Sequence, residues 1–152
     1  MPPAVTIFVV EDNPGDVLLL RKALEHHSVK VDLLIAQDGD EAIRLLERIE
    51  AAELPSPDLL LCDLNLPKRD GFHVLRRARH SPKCLQSPVV ILTSSDSASD
   101  REAAAGLGVS CYLLKPMELD SYLSIGGTLK ELLTKRRPIA GDGQPSTPAL
   151  PG

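Results

Sequence analysis

Apolar residues fall in compact runs, separated by stretches where they recur every three or four positions. The runs cover residues 4–10, 31–36, 58–62, 88–93 and 110–114, with Ile7-Phe8-Val9-Val10 and Leu59-Leu60-Leu61-Cys62 the densest. Runs this uniformly apolar, without strict alternation, predict strands buried on both faces, as in a parallel sheet. The stretches between and after them predict helices. Asn13-Pro14 sets an N-cap before a proline suited to the first helical position, and Val17, Leu20 and Leu24 follow at helical spacing. A second helix opens around Asp38 to Glu41 and carries Ala42, Ile43, Leu45, Leu46 and Ile49 inward. Asp70 caps a third, ahead of Phe72, Val74 and Leu75. Ser99 and Glu102, three apart, read as a capping box for a fourth, and the fifth runs from about Met117 to Lys135.

Five successive βα units predict an α/β domain: a doubly wound five-stranded parallel sheet covered by five helices. Right-handed crossovers leave few strand orders. In the order 2-1-3-4-5 the switch point falls between strands one and three, where ligands bind at the carboxyl ends. The domain is expected over residues 1–137. Beyond it, Pro138, Pro145, Pro148 and Pro151 alternate with Gly141, Gly143 and small polar residues. That stretch, 138–152, is expected to be a disordered tail, too poor in apolar surface to offset its ordering entropy. Lys135-Arg136-Arg137 read as solvated cations at a helix C-terminus, with a basic docking spot as the alternative.

The chemistry sits at the strand ends. Glu11-Asp12 follows the first strand and Asp63 the third, so neighbouring strands would bring three carboxylates to one edge of the sheet. Unpaired, they would repel strongly. A hard divalent cation removes that conflict, and Mg²⁺ typically binds through a few carboxylates plus phosphate oxygens. A metal-dependent phosphate site is the chemistry this arrangement suggests.

Composition narrows the classes. Hydrophobic residues make up 43% and charged residues 25%, as in ordinary globular proteins. A net charge of −4 gives no electrostatic footprint for nucleic acid. No apolar stretch approaches a membrane span, and no basic segment opens a signal peptide. Cys62, Cys84 and Cys111 are widely spaced without a CxxC, and Cys62 and Cys111 are expected as buried reduced thiols in strands. A cytoplasmic location is the expectation. His73 and the vicinal His26-His27 are expected on helix surfaces, without a metal-ligand spacing.

Glu11-Asp12, Asp63, Thr93, Tyr112 and Lys115-Pro116 occur in that order at the expected strand ends. With these residues the chain resembles a response-regulator receiver domain of the chemotaxis type, with its flavodoxin-like fold, from residue 4 to about 135. The resemblance implies that Asp63 is the phosphoacceptor, served by a sensor histidine kinase or a small phosphodonor. Glu11, Asp12, Asp63 and the backbone carbonyl of Asn65 would hold Mg²⁺. Lys115 would pair with the acids at rest and with a phosphate oxygen afterwards. Thr93 would hydrogen-bond the phosphate, and Tyr112 would rotate into the space Thr93 leaves. Pro116 would carry a cis bond, and Asn65 and Ser95 would tune dephosphorylation. Such a chain catalyses only its own phosphorylation and dephosphorylation, so its output is expected to be a phosphorylation-dependent contact with another protein.

Asn13-Pro14-Gly15-Asp16, the segment from Asp63 to Gly71, the segment from Gly108 to Pro116 and the long connection over residues 51–57 resemble the phytochrome-associated branch of single-domain regulators. That resemblance implies a phytochrome kinase as partner. Leu119, Tyr122, Leu123, Leu129 and Leu132 suggest an apolar stripe wider than one core face needs, so a homodimer through helix four, strand five and helix five is expected. Against a rigid dimer face, Gly126-Gly127 cost that helix about 1 kcal/mol each relative to alanine.

Other readings fit less well. An aspartate-nucleophile phosphatase needs a general acid two residues past its nucleophile, where this chain has Asn65. A flavodoxin-like cofactor binder needs phosphate-cradling hydroxyls and glycines where Glu11-Asp12-Asn13 stands. A receiver-like scaffold that works without phosphorylation is the alternative left.

Overall fold

The structure, a computed structural model, describes residues 5–68 and 70–136, so the expected tail after Arg137 lies outside the described residues. Its strands are β1 (Val5–Val10), β2 (Val31–Ala36), β3 (Leu59–Cys62), β4 (Val89–Thr93) and β5 (Cys111–Leu114). Between and after them lie α1 (Pro14–His26), α2 (Gly39–Glu50), α3 (Gly71–Arg79), α4 (Ala98–Gly106) and α5 (Leu119–Arg136). All strand pairs are parallel and the sheet order is β2-β1-β3-β4-β5, as the sequence predicts.

The period-two geometry of strands explains the uniform apolar runs. Phe8, Val10, Leu60, Cys62 and Ile91 face one way, onto Leu46 and Ile49 of α2, Val74 and Leu75 of α3 and Ala104 of α4. Ile7, Val9, Leu59, Leu61, Val90 and Leu92 face the other, onto Leu20 and Leu24 of α1 and Tyr122, Ile125, Leu129 and Leu133 of α5. Both faces of β1, β3 and β4 are therefore core, and each face demands apolar side chains. Edge strand β2 is half-buried for most of its length.

Local signals start the helices at fixed points. The Asn13 side chain accepts hydrogen bonds from the amides of Gly15 (2.8 Å) and Asp16 (3.3 Å). Asp38 caps α2 through Glu41 N (2.8 Å) and Asp70 caps α3 through His73 N (2.9 Å). The expected capping box of α4 is corrected: the cap is Ser97, whose Oγ accepts from Asp100 N at 3.2 Å, and Ser99 lies inside the first turn. Asp100 then occupies the third helical position, where a negative side chain suits the helix dipole.

Two expectations about α1 and α5 change. His26 is exposed, but His27 is half-buried, with Nε2 3.0 Å from the Leu123 carbonyl oxygen and its ring against Gly127. Gly126 lies where a Cβ would run into the Ala23 carbonyl, so the glycine pair lets α5 cross α1 at close range. Of the proposed apolar stripe, Tyr122 and Leu129 are buried, Leu123 and Leu132 half-buried, and Leu119 exposed. His73 is half-buried on α3. Cys62 and Cys84 are buried free thiols, each pushed up in pKa by burial, whereas Cys111 is half-buried. Among the described residues, no helix is long and apolar enough to cross a membrane.

Candidate functional site

Strands β1 and β3 pair with Val10 opposite Cys62, so Glu11 and Asp63 leave the sheet at the same level. The ladder carries on for one residue past both strands: Asp63 N donates to Val10 O (3.0 Å) and Glu11 N to Ala36 O (2.9 Å). Backbone bonds thus hold both acids in place at the switch point. One ligand atom each from Glu11, Asp12 and Asp63 lies within 4.8 Å of the others, close enough to share one cation. Glu11 and Asp63 are buried and Asp12 is exposed at the rim.

Lys115 enters from the end of β5, where its amide donates to Thr93 O at 2.8 Å. Its Nζ lies 2.8 Å from Asp63 Oδ2, 2.9 Å from Glu11 Oε2 and 2.9 Å from Asp16 Oδ2. The remaining oxygens of the buried acids are also engaged. Asp63 Oδ1 accepts from Asn65 N (3.1 Å) and Glu11 Oε1 from Asn13 N (3.1 Å).

Charge is nonetheless unbalanced, because the carboxylates of Glu11, Asp16 and Asp63 surround one ammonium and Asp12 adds a fourth beside Glu11 and Asp63. Burial pushes the Glu11 carboxyl up to about 7, although Lys115 and the Asn13 amide pull it down. Burial also works against the Lys115 ammonium, but hydrogen bonds to Asp63, Asp16 and Glu11 outweigh it and hold its pKa well above the usual lysine range. An all-oxygen donor set with surplus negative charge fits a hard cation such as Mg²⁺ or Mn²⁺.

The shifted acid has a measurable consequence. Glu11 ligates a cation only as the carboxylate. With its pKa at about 7, protons compete for it below neutrality. Mg²⁺ affinity, followed by titration calorimetry, is expected to be about tenfold weaker at pH 6 than at pH 8; equal affinities would contradict the role of Glu11. In the metal-free protein the sign reverses. A raised acid favours the folded state at low pH, and that contribution is lost as pH rises from the ordinary glutamate value through about 7.

The expected switch residues form a second group beside the acids. Thr93 is fully buried at the end of β4, and its Oγ1 accepts from Ser95 N at 3.3 Å. Tyr112 Oη donates to Ser95 O (2.8 Å), and the Arg101 guanidinium sits 4.6 Å from the centre of the Tyr112 ring. Ser95 Oγ is itself engaged, donating to Asp100 Oδ2 at 2.6 Å. Asn65 is exposed at the rim. The expected cis bond at Pro116 is corrected: there is no cis peptide among the described residues. Lys115 is aimed at the acids by its amide bond to β4 and by three carboxylate contacts, with Pro116 following in trans.

Three participants were not foreseen. Asp16 is the fourth acid, Tyr122 Oη donates to the Asp16 carbonyl (3.2 Å), and Arg101 caps Tyr112. Asp16 carried a signal, since the first turn of a helix that follows β1 stands at the same sheet edge as Glu11. Gly71 belongs to the site's frame. Its amide donates to Leu64 O (3.0 Å), and a Cβ there would strike the Asp63 backbone.

A parallel sheet of this order, with acids and a lysine gathered at its switch point, defines a receiver of two-component signalling. The chain belongs to the response regulator receiver domain family, whose model matches residues 7–125. It is 40% identical, over 78% of its length and 80% of the relative's, to the response regulator Rcp1 of Synechocystis sp.. Mycobacterial regulators are also similar, the chain spanning 49% of TrcR and 56% of MprA of Mycobacterium. Among solved structures, the phosphorylated cyanobacterial phytochrome response regulator RcpA aligns with a TM-score of 0.77 at 36% identity, covering 86% of this chain and 94% of that one. The Mn²⁺-bound form of Rcp1 aligns at 0.74 and 34%, covering 84% and 92%. Receiver domains partner with histidine kinases and are typically non-enzymatic apart from autophosphorylation chemistry.

Proposed function

We propose that Asp63 accepts a phosphoryl group from a sensor histidine kinase in a Mg²⁺-dependent reaction, and that the phosphorylated chain signals through contact with another protein. The observation that carries this reading is the convergence of Glu11, Asp12 and Asp63 within 4.8 Å, with the Lys115 ammonium 2.8 Å from Asp63 Oδ2.

Phosphoryl transfer asks the protein mainly for in-line positioning and neutralisation of charge on the transferred oxygens. A carboxylate oxygen of Asp63 attacks phosphorus as the bond from phosphorus to the donor breaks, and the electron pair leaves with the donor. Glu11, Asp12, Asp63 and the Asn65 carbonyl would hold Mg²⁺, which supplies positive charge to the phosphoryl oxygens. Lys115 and the amide of Asn65, already on Asp63, become donors to the new group. The hydroxyl of Thr93 turns from the Ser95 amide to a phosphate oxygen. That movement loosens the Ser95 segment to which Tyr112 is bonded, and Tyr112 repacks inward. Asn65 at the rim and Ser95 then set access for the water that removes the phosphoryl group.

For the kinase, we infer a phytochrome. The support is the similarity to Rcp1, to the phytochrome response regulator RcpA and to the bacteriophytochrome response regulator RtBRR, the last at 35% identity. Incubation with radiolabelled acetyl phosphate is expected to label the protein with Mg²⁺ and leave it unlabelled in chelator. Transfer from an autophosphorylated bacterial phytochrome kinase should outpace transfer from an unrelated histidine kinase. Equal rates would remove the phytochrome assignment, and no labelling under any of these conditions would favour the phosphorylation-independent scaffold.

A further inference from the structure

An ammonium has three N–H donors; Lys115 donates to Asp63 and Asp16 and forms an ion pair with Glu11, each within 2.9 Å. Glu11 and Asp63 belong to the group that gathers within reach of one cation, and Asp16 does not. A cation held by that group would compete with Lys115 for the carboxylates of Glu11 and Asp63. Asp16 is then the acid still free to hold Lys115.

Its own position is fixed from two sides. The Asp16 amide donates to the Asn13 cap at 3.3 Å, which anchors the first turn of α1. Its carbonyl accepts from Tyr122 Oη at 3.2 Å, and Tyr122 is a buried residue of α5. The same Nζ that meets Asp16 also meets Asp63, so the two contacts are geometrically compatible.

We propose that Asp16 is a positioning residue for phosphoryl transfer: it keeps the Lys115 ammonium over Asp63 while the metal occupies the other acids. The inference rests on Asp63 being the phosphoacceptor. Asp16 does not touch the phosphoryl group. Charge builds on the phosphoryl oxygens as Asp63 attacks and the donor's electron pair departs, and the ammonium that meets this charge must already be in place. Without Asp16, the flexible lysine stem has no anchor of its own on the α1 side.

The test is a double-mutant cycle on the full chain, timing Mg²⁺-dependent labelling from acetyl phosphate in wild type, Asp16→Asn, Lys115→Ala and the double variant. Asp16→Asn is expected to label about tenfold more slowly, in line with loss of a charge-assisted hydrogen bond, while its Mg²⁺ affinity stays close to wild type. In the Lys115→Ala background the same change is expected to have no further effect, because Asp16 acts through Lys115. The cycle repeated as equilibrium affinity for beryllium trifluoride, a phosphoryl mimic, is expected to give the same pattern where labelling of Lys115→Ala is too slow to time. An unchanged or faster rate in Asp16→Asn overturns the proposal. So does an equal loss with and without Lys115, which would trace the effect to folding or to the metal. Absence of labelling in wild type would instead remove the phosphoacceptor reading on which it rests.

Discussion

Asp63→Asn is expected to abolish phosphate incorporation while leaving the fold intact. The amide oxygen of asparagine carries no full negative charge and is a poor nucleophile, so the attack on phosphorus is lost rather than slowed. The substitution also removes one of three carboxylates gathered within 4.8 Å, so Mg²⁺ affinity is expected to fall by at least about tenfold. Stability should change little, because two effects oppose. The substituted amide forfeits a charge-assisted bond to Lys115, yet it relieves repulsion among acids that are largely out of water. Circular dichroism and thermal unfolding check the fold, and radiolabelling checks the chemistry. Residual labelling of a folded Asp63→Asn protein would place the acceptor elsewhere.

Gly126→Ala is expected to have the largest effect on stability. A Cβ at that position would overlap the backbone carbonyl of Ala23 and lie 2.7 Å from His27 Cδ2. The obstacle is main chain in α1, anchored by Leu20, Ala23 and Leu24, all buried, so it cannot yield without opening the core on that face. Overpacking of this kind costs about 3 kcal/mol, or a fall of roughly 10 °C in Tm for a domain of this size. Gly106→Ala is the matched control. Nothing lies within 4 Å of its Cβ position near the end of α4, so its Tm should hold or rise slightly. If both variants melt like wild type, the close crossing of α1 and α5 is wrong.

The fold was largely legible because its signals are redundant. Each buried strand is an apolar run, the helices between them carry caps, and right-handed crossovers leave few strand orders. The acids and Lys115 were legible because strand ends are the one place where a parallel sheet exposes chemistry. What sequence reasoning missed depends on side-chain reach. Asp16 reads as an ordinary acid in a first helical turn until Lys115 is seen to bridge it to Asp63. Gly126-Gly127 read as weak points of a helix, whereas the α1 backbone at Ala23 leaves no room for a side chain at Gly126 and the His27 ring lies against Gly127. His27 followed the same error, since only the crossing shows that its ring faces α5. At α4, Ser97 and Ser99 are both competent caps, and backbone geometry at the β4–α4 connection selects the earlier one.

The chemical identity of the acceptor bears most directly on the whole account. Wild-type protein treated with acetyl phosphate and Mg²⁺, then reduced with borohydride, converts an aspartyl phosphate into homoserine that mass spectrometry locates by peptide. Homoserine is expected at position 63 and at no other aspartate, and none when Mg²⁺ is chelated. Phosphate retained through acid on a serine or threonine, or homoserine at position 12 or 16 in place of 63, would contradict it.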